Sequence, residues 1–128
     1  MMTGNNIFET ACAFLAMSPQ DNKDLEGLAL IWLNSLLAEA LQYENANRQA
    51  NKKELLENAP MLASLDEEIP YCNDILRIAL PYGLASYLYI EEESFAVAGE
   101  FRTRYLSALY EAAPLFEETS TDVYGGGA

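Results

Sequence analysis

Apolar residues return at intervals of three and four over most of the chain, so helices are the expected elements. Between 6 and 17, Ile7, Phe8, Ala11, Cys12, Phe14 and Leu15 mark a short first helix, with the polar residues from Thr3 to Asn6 available as caps. Ser18-Pro19 then breaks and restarts the pattern, because serine caps a helix well and proline is tolerated in its first turn. The longest stripe, Leu25, Leu28, Ala29, Trp32, Leu36, Leu37, Ala40, Leu41 and Tyr43, predicts a second helix from about 19 to about 46. Ile31 and Leu33 widen that stripe beyond one face, which predicts burial by several neighbours.

The clear period is lost over 45–66, NANRQANKKELLENAPMLASLD, where Lys52-Lys53, Pro60 and most of the asparagines in the middle of the chain fall. A connection of this length inside a compact domain is usually functional or mobile. Leu55, Leu56, Met61, Leu62 and Leu65 are available to anchor it, and periodicity does not choose between a short helical turn and a small hairpin.

Helical spacing resumes over 69–90, IPYCNDILRIALPYGLASYLYI, with Pro81 and Gly83 in its middle. Proline removes one backbone hydrogen bond and crowds the carbonyl four residues earlier, here Arg77, at a cost of ~3 kcal/mol. Gly83 adds ~1 kcal/mol relative to alanine, yet lets another helix approach closely. A bend at Pro81 and Gly83 is therefore expected. The core face of this helix is read as Ile69, Cys72, Ile75, Leu76, Ala79, Leu80, Leu84, Tyr87, Leu88 and Ile90, ending at the Glu91-Glu92-Glu93 run, which opposes the helix dipole. A fourth helix carries Phe95, Ala98, Phe101, Tyr105, Leu109, Ala112 and Ala113 and stops before Pro114. The remainder, LFEETSTDVYGGGA, has no helical face, and Val123 and Tyr124 are the bulky apolar groups near its end. The expected fold is all-α: a bundle of about four helices over 1–114 with a long middle connection, followed by an extended or docking tail over 115–128.

Composition narrows the chemistry. At 128 residues the chain is most simply one domain, and its 51% hydrophobic content is ample for a core. Twenty acidic against seven basic residues give a net charge of −13. Such a field repels phosphate backbones and anionic membrane surfaces, and suits solubility, a basic protein partner or the wall of a passage along which DNA slides. Histidine is absent, which removes Ser-His-Asp and Cys-His nucleophilic systems and the commonest transition-metal ligand. Cys12 and Cys72 lie in apolar sequence with no CxxC spacing, as buried thiols of a reducing compartment do. The opening residues MMTGNNIFETACAFLAM have no basic n-region, and their apolar run is too short for a membrane span, so a cytoplasmic protein is expected.

No constellation points to catalysis, a metal or a cofactor, and none of these is expected. The acidic runs at 66–68, 91–93 and 117–118 lack the alternation and glycine of a calcium loop. The glycines at 125–127 are not flanked by the strand and helix of a phosphate cradle. Five of the eight tyrosines, Tyr82, Tyr87, Tyr89, Tyr105 and Tyr110, lie on or near the last two helices. Without a basic patch they suit core edges and protein interfaces, which makes Tyr82, Tyr89 and Tyr110 candidate interface residues.

The segment DEEIPYCNDILRIALPYGLASYLYIEEESFAVAGEFRTRYLSALYEA resembles the C-terminal helical pair of small head–tail connector proteins of tailed bacteriophages and prophages. The likeness rests on a PYGLA helix, a short acidic turn, a helix with an F-x-x-x-Y step at Phe101 and Tyr105, and an extended ending similar to 121–124. The resemblance implies a non-enzymatic adaptor that forms a homo-oligomeric ring below the portal and meets portal and tail or stopper proteins. DNA would pass through without specific binding, with no membrane partner, and the protein would reside in the virion or the bacterial cytoplasm. It also makes Asp122, Val123 and Tyr124 the candidates for docking on a neighbour. A ring needs a heterologous interface, one patch meeting a different patch on the next copy. The competing readings are an acidic module that captures a basic protein as a monomer or dimer, as a regulatory adaptor or DNA mimic does, and, last, a carboxylate-dependent enzyme.

Overall fold

The computed structural model of the chain describes residues 2–90 and 95–113. Among them are four α-helices and no strand: α1 (Gly4–Phe14), α2 (Glu26–Ala50), α3 (Leu80–Ile90) and α4 (Phe95–Glu111). The all-α expectation holds for this part of the chain.

Helix α1 begins at a capping box. The Thr3 hydroxyl accepts from the Asn6 amide at 3.4 Å, while the Asn6 side chain accepts from the Thr3 amide at 2.9 Å. Its apolar face, Ile7, Phe8, Ala11 and Cys12, is fully buried. Helix α2 starts later than the apolar stripe suggests, after a 3₁₀ turn at Lys23–Leu25. The segment before it is polar, and Asn22 donates to the Ser18 carbonyl at 2.8 Å, a local bond that competes with helix. At the other end α2 runs four residues beyond the expected 46. It closes in a Schellman motif, with Lys53 N donating to the Arg48 carbonyl at 2.8 Å and Lys52 N to Gln49 at 3.2 Å. Lys52 holds the left-handed position, φ 56°, that glycine usually occupies there.

The connection that follows forms no helix or strand through residue 72, apart from one antiparallel bridge between Thr3 and Glu68. The apolar pattern of 69–72 is not helical either. Ile69 donates its amide to the Met2 carbonyl at 3.0 Å, so this stretch is extended against the chain's beginning. Helical structure resumes at residue 73, and a π-helical turn at Ile75–Ala79 leads directly into α3. Its place is physically reasonable. A widened turn just before Pro81 accommodates a residue that can neither donate its own amide nor tolerate the carbonyl four positions back.

Helix α3 packs on α1, α2 and α4 together, which explains its all-round apolarity. The core combines Ile7 and Phe8 of α1, Leu33, Leu36 and Leu37 of α2, Ile69, then Ile75, Leu76, Ala79, Leu80, Leu84 and Leu88, and Tyr105 and Leu109 of α4. Several expectations of burial fail: Phe14 and Leu28 at the edges of their stripes are exposed, and of the residues available to anchor the connection Leu55 and Met61 face water while Leu62 and Leu65 are buried. Phe95, the first residue of α4, is 72% exposed, and Ile31 is 64% exposed on the outward side of α2. Cys72, Tyr87 and Phe101 are only half-buried.

Candidate interaction surface

Three helices meet at Gly83. A Cβ placed there would lie 2.9 Å from Leu36 of α2 and 2.9 Å from the Tyr105 ring of α4, distances real side chains do not adopt. The glycine permits this crossing by having no side chain. Pro81 and Gly83 are both buried. Tyr105 is fully buried, and its hydroxyl makes no hydrogen bond of standard geometry, although Glu39 and Arg102 lie beside it. Burial above all, then the neighbouring Glu39 carboxylate, drives its phenol well above the ordinary range. Arg102 pairs with Glu39 at 2.6 Å and lies over the Tyr105 ring at 5.0 Å. Burial pushes the Glu39 carboxyl upward, but the hydrogen bond from Arg102, the Tyr105 hydroxyl and the guanidinium charge outweigh it and hold the group below its ordinary value.

Aromatic rings continue from this crossing to the surface. Tyr82 stacks on Phe14 at 4.7 Å and lies 6.3 Å from Phe101, which in turn approaches Tyr89 at 6.4 Å. Arg104 sits 5.8 Å above Tyr82. Tyr82 and Tyr89 are thus half-buried members of an intramolecular cluster, and Tyr110 is 60% exposed. Trp32 of α2 stacks on Tyr87 of α3 at 5.7 Å. Next to that stack, Ser86, Tyr87, Phe95, Ala98, Gly99 and Arg102 line an open, mostly apolar pocket of about 310 Å³. One terminal nitrogen of Arg102, Nη1, is buried without a partner.

The opposite flank of α2 is polar. Asn45 donates to the Leu56 carbonyl and accepts from the Leu56 amide, both at 2.9 Å. Asn34 repeats the arrangement on Leu62, at 3.0 and 2.7 Å. Each carboxamide takes the place of a neighbouring β-strand. The two asparagines are eleven residues apart, about 16 Å along a helix, and the six-residue step between their partners spans about 20 Å when extended. The connection therefore runs antiparallel along α2 as a nearly extended strap.

Its ends are fixed by charge. Glu44, only 3% exposed, accepts from Arg48 at 2.6 Å and from the Cys72 amide at 2.7 Å. Arg48 donates onward to the carbonyls of Glu54 and Pro70, at 2.9 and 2.7 Å. Asn47 donates to the Ala112 carbonyl at 3.1 Å, joining α2 to the end of α4. Tyr71 donates to the Leu37 carbonyl at 2.5 Å, and burial followed by the nearby Glu44 charge raises its phenol. Burial also raises both thiols, Cys12 and Cys72.

None of these polar anchors emerges from the apolar periodicity. The signal was the recurrence of asparagine at 34, 45 and 47 inside a helical stripe, where that residue has low propensity and needs another reason to be present. The docking candidates Asp122, Val123 and Tyr124 lie outside the described residues, as does the acidic turn 91–93. Among the described residues no group of three His, Cys, Asp or Glu side chains is placed to hold a metal ion, and no helix is long and apolar enough to cross a membrane. Compared with protein-family models, curated proteins and solved structures, the chain matches none.

Proposed function

We propose that this chain is a structural assembly protein: a ring-forming head–tail connector of a tailed phage or prophage, whose four helices form a bundle and whose acidic wall continues the DNA passage below a portal. The observation that carries this reading is the distribution of large apolar groups left in water. Met61 on the strap, Ile31 on α2, and Phe95 and Tyr110 at the two ends of α4 are all exposed, so the exposed apolar groups are spread over three elements of the chain. Exposed apolar groups on separate elements suit repeated protein contacts. An enzyme would instead concentrate converging polar groups in a single cleft.

Charge supports the same reading. A wall of net negative sign gives DNA few counterion-releasing contacts, so transit meets little friction. The segment 115–128, with Asp122, Val123 and Tyr124, would dock on a neighbouring copy or the portal, and the widened turn before Pro81 would set the angle between the helices that meet their neighbours.

The test is a mixing experiment with isolated portal rings, read by negative-stain microscopy and co-sedimentation. A ring of this chain seated on the portal is the expected result. A persistent monomer that ignores portal rings yet co-purifies with one basic host protein, released by salt, would replace this reading with the acidic binding module.

A further inference from the structure

Met61 and the Phe95 pocket lie on opposite flanks of α2. The strap is clamped by Asn34 and Asn45, whereas Trp32 and Glu39 reach the pocket side through Tyr87 and Arg102. At 3.6 residues per turn these two pairs of residues project roughly 120–160° apart about the helix axis. A knob on one flank and a hole on the other cannot meet within one molecule, but they can meet between copies.

The knob is unusual. Met61 is 83% exposed, while the next residue, Leu62, is buried and held at both its amide and its carbonyl by Asn34. Ordering a strap costs about 1–2 kcal/mol of backbone entropy per residue, and here it holds an apolar side chain fixed in water. The hole is apolar and open, about 310 Å³, of a size to take one or two side chains. A Cβ added at Gly99 would meet nothing within 4 Å, so the floor beside that glycine is empty.

Charge favours the same pairing. From 54 to 68 the strap carries five carboxylates and no basic residue, whereas Arg102 and Arg104 on the pocket helix are two of only seven basic residues in the chain. Arg102, which lines the pocket, also carries a buried, unpartnered Nη1. Methionine, aromatic rings and arginine are the side chains that interfaces enrich.

We infer that Met61 of one copy inserts into the pocket formed by Ser86, Tyr87, Phe95, Ala98, Gly99 and Arg102 of the next copy, so that copies join head to tail. The contact is heterologous and therefore propagates to a closed ring or an open filament. The inference rests on the self-assembly reading above and names the surface that performs it.

The experiment uses the full chain carrying Met61→Cys together with Gly99→Cys, treated with a short bismaleimide and run on a denaturing gel beside each single variant and the wild type. Both positions are open to solvent, and the native cysteines are buried or half-buried. A ladder of dimer, trimer and higher species in the double variant, absent from both singles, is the expected result. Dimers in the Met61→Cys single variant would mean a two-fold contact and overturn the inference. Rings visible by microscopy without a ladder would overturn this contact and leave ring formation standing. A chain that forms no ladder and no ring at any concentration overturns both. A second variant, Gly99→Leu, fills the hole. It should raise the concentration needed for assembly about tenfold or more, the effect of losing one central contact, at a melting temperature no lower than the parent's. Undiminished assembly by that variant would contradict the pocket's role.

Discussion

The two flanks of α2 are built by different physics. On one, α3 and α4 close against the helix through apolar contact so tight that Gly83 has no room for a methyl group. On the other, a strap with little regular structure is held by Asn34, Asn45 and Arg48 acting on its backbone. The first flank derives its strength from area removed from water. The second depends on satisfied hydrogen bonds, each small in net value but expensive to leave unmade. The tight flank is thus the stable body, and the clamped flank is a surface whose shape is specified side chain by side chain.

Substitution at the crossing should have the largest effect. Gly83→Leu forces Leu36 and Tyr105 apart and should cost about 3 kcal/mol, a fall of roughly 10 °C in melting temperature. An unchanged melting temperature would remove the three-helix contact from the account. Next comes the buried charge. Glu44→Ala strips the carboxylate from Arg48, leaving it only the Glu54 and Pro70 carbonyls, and leaves the Cys72 amide unbonded, for a loss of about 2–3 kcal/mol, measurable by urea unfolding. Replacement without loss would mean that water serves both groups as well as the carboxylate does.

The asparagine clamps sharpen the comparison most. Asn34→Ala and Asn45→Ala should each cost about 1–2 kcal/mol and raise hydrogen exchange at Leu56 and Leu62, while amides of α3 and α4 stay protected. Equal loss of protection in both regions would show that the flanks form one cooperative unit.

Smaller effects follow from titration. Tyr71 and Tyr105 have phenols raised above their ordinary value of about 10. Their contribution is complete below that pH and is lost as pH rises beyond it. Melting temperature should therefore fall from about pH 10 upward, less steeply in Tyr71→Phe. The Glu39 carboxyl is held below its ordinary value, so its contribution is present above that value and lost as pH falls through the lowered one. The pair is partly in water, so the effect should be the smallest. Glu39→Gln should melt slightly lower than the parent at neutral pH and match it in acid.

The difference between the flanks also explains what could be read from residue order. Burial against several helices leaves a strong apolar period, so α2, α3 and α4, and the close approach implied by Gly83, were visible in the pattern. The strap was not, because a carboxamide holding a peptide backbone leaves no period, and Asn34 and Asn45 look like ordinary polar positions on a helix. Ile69 and Phe95 misled for a related reason. Both continue an apolar stripe, but Ile69 is buried in extended backbone against Met2, and Phe95 is exposed as the first residue of α4. Of the candidate surface, Tyr82 and Tyr89 could be foreseen from tyrosine chemistry, whereas the pocket beside Phe95 requires the antiparallel pairing of α3 and α4 to exist.

Self-assembly is the claim on which the functional account stands, and the net charge of −13 makes it testable with salt. Like-charged copies repel, and screening shortens that repulsion from about 10 Å at 0.1 M to about 3 Å at 1 M salt. Sedimentation velocity of the full chain across that range is the most direct measurement. The account predicts one discrete high-order species that grows with salt and concentration and has the outline of a ring by negative stain. A single monomer peak throughout would contradict it.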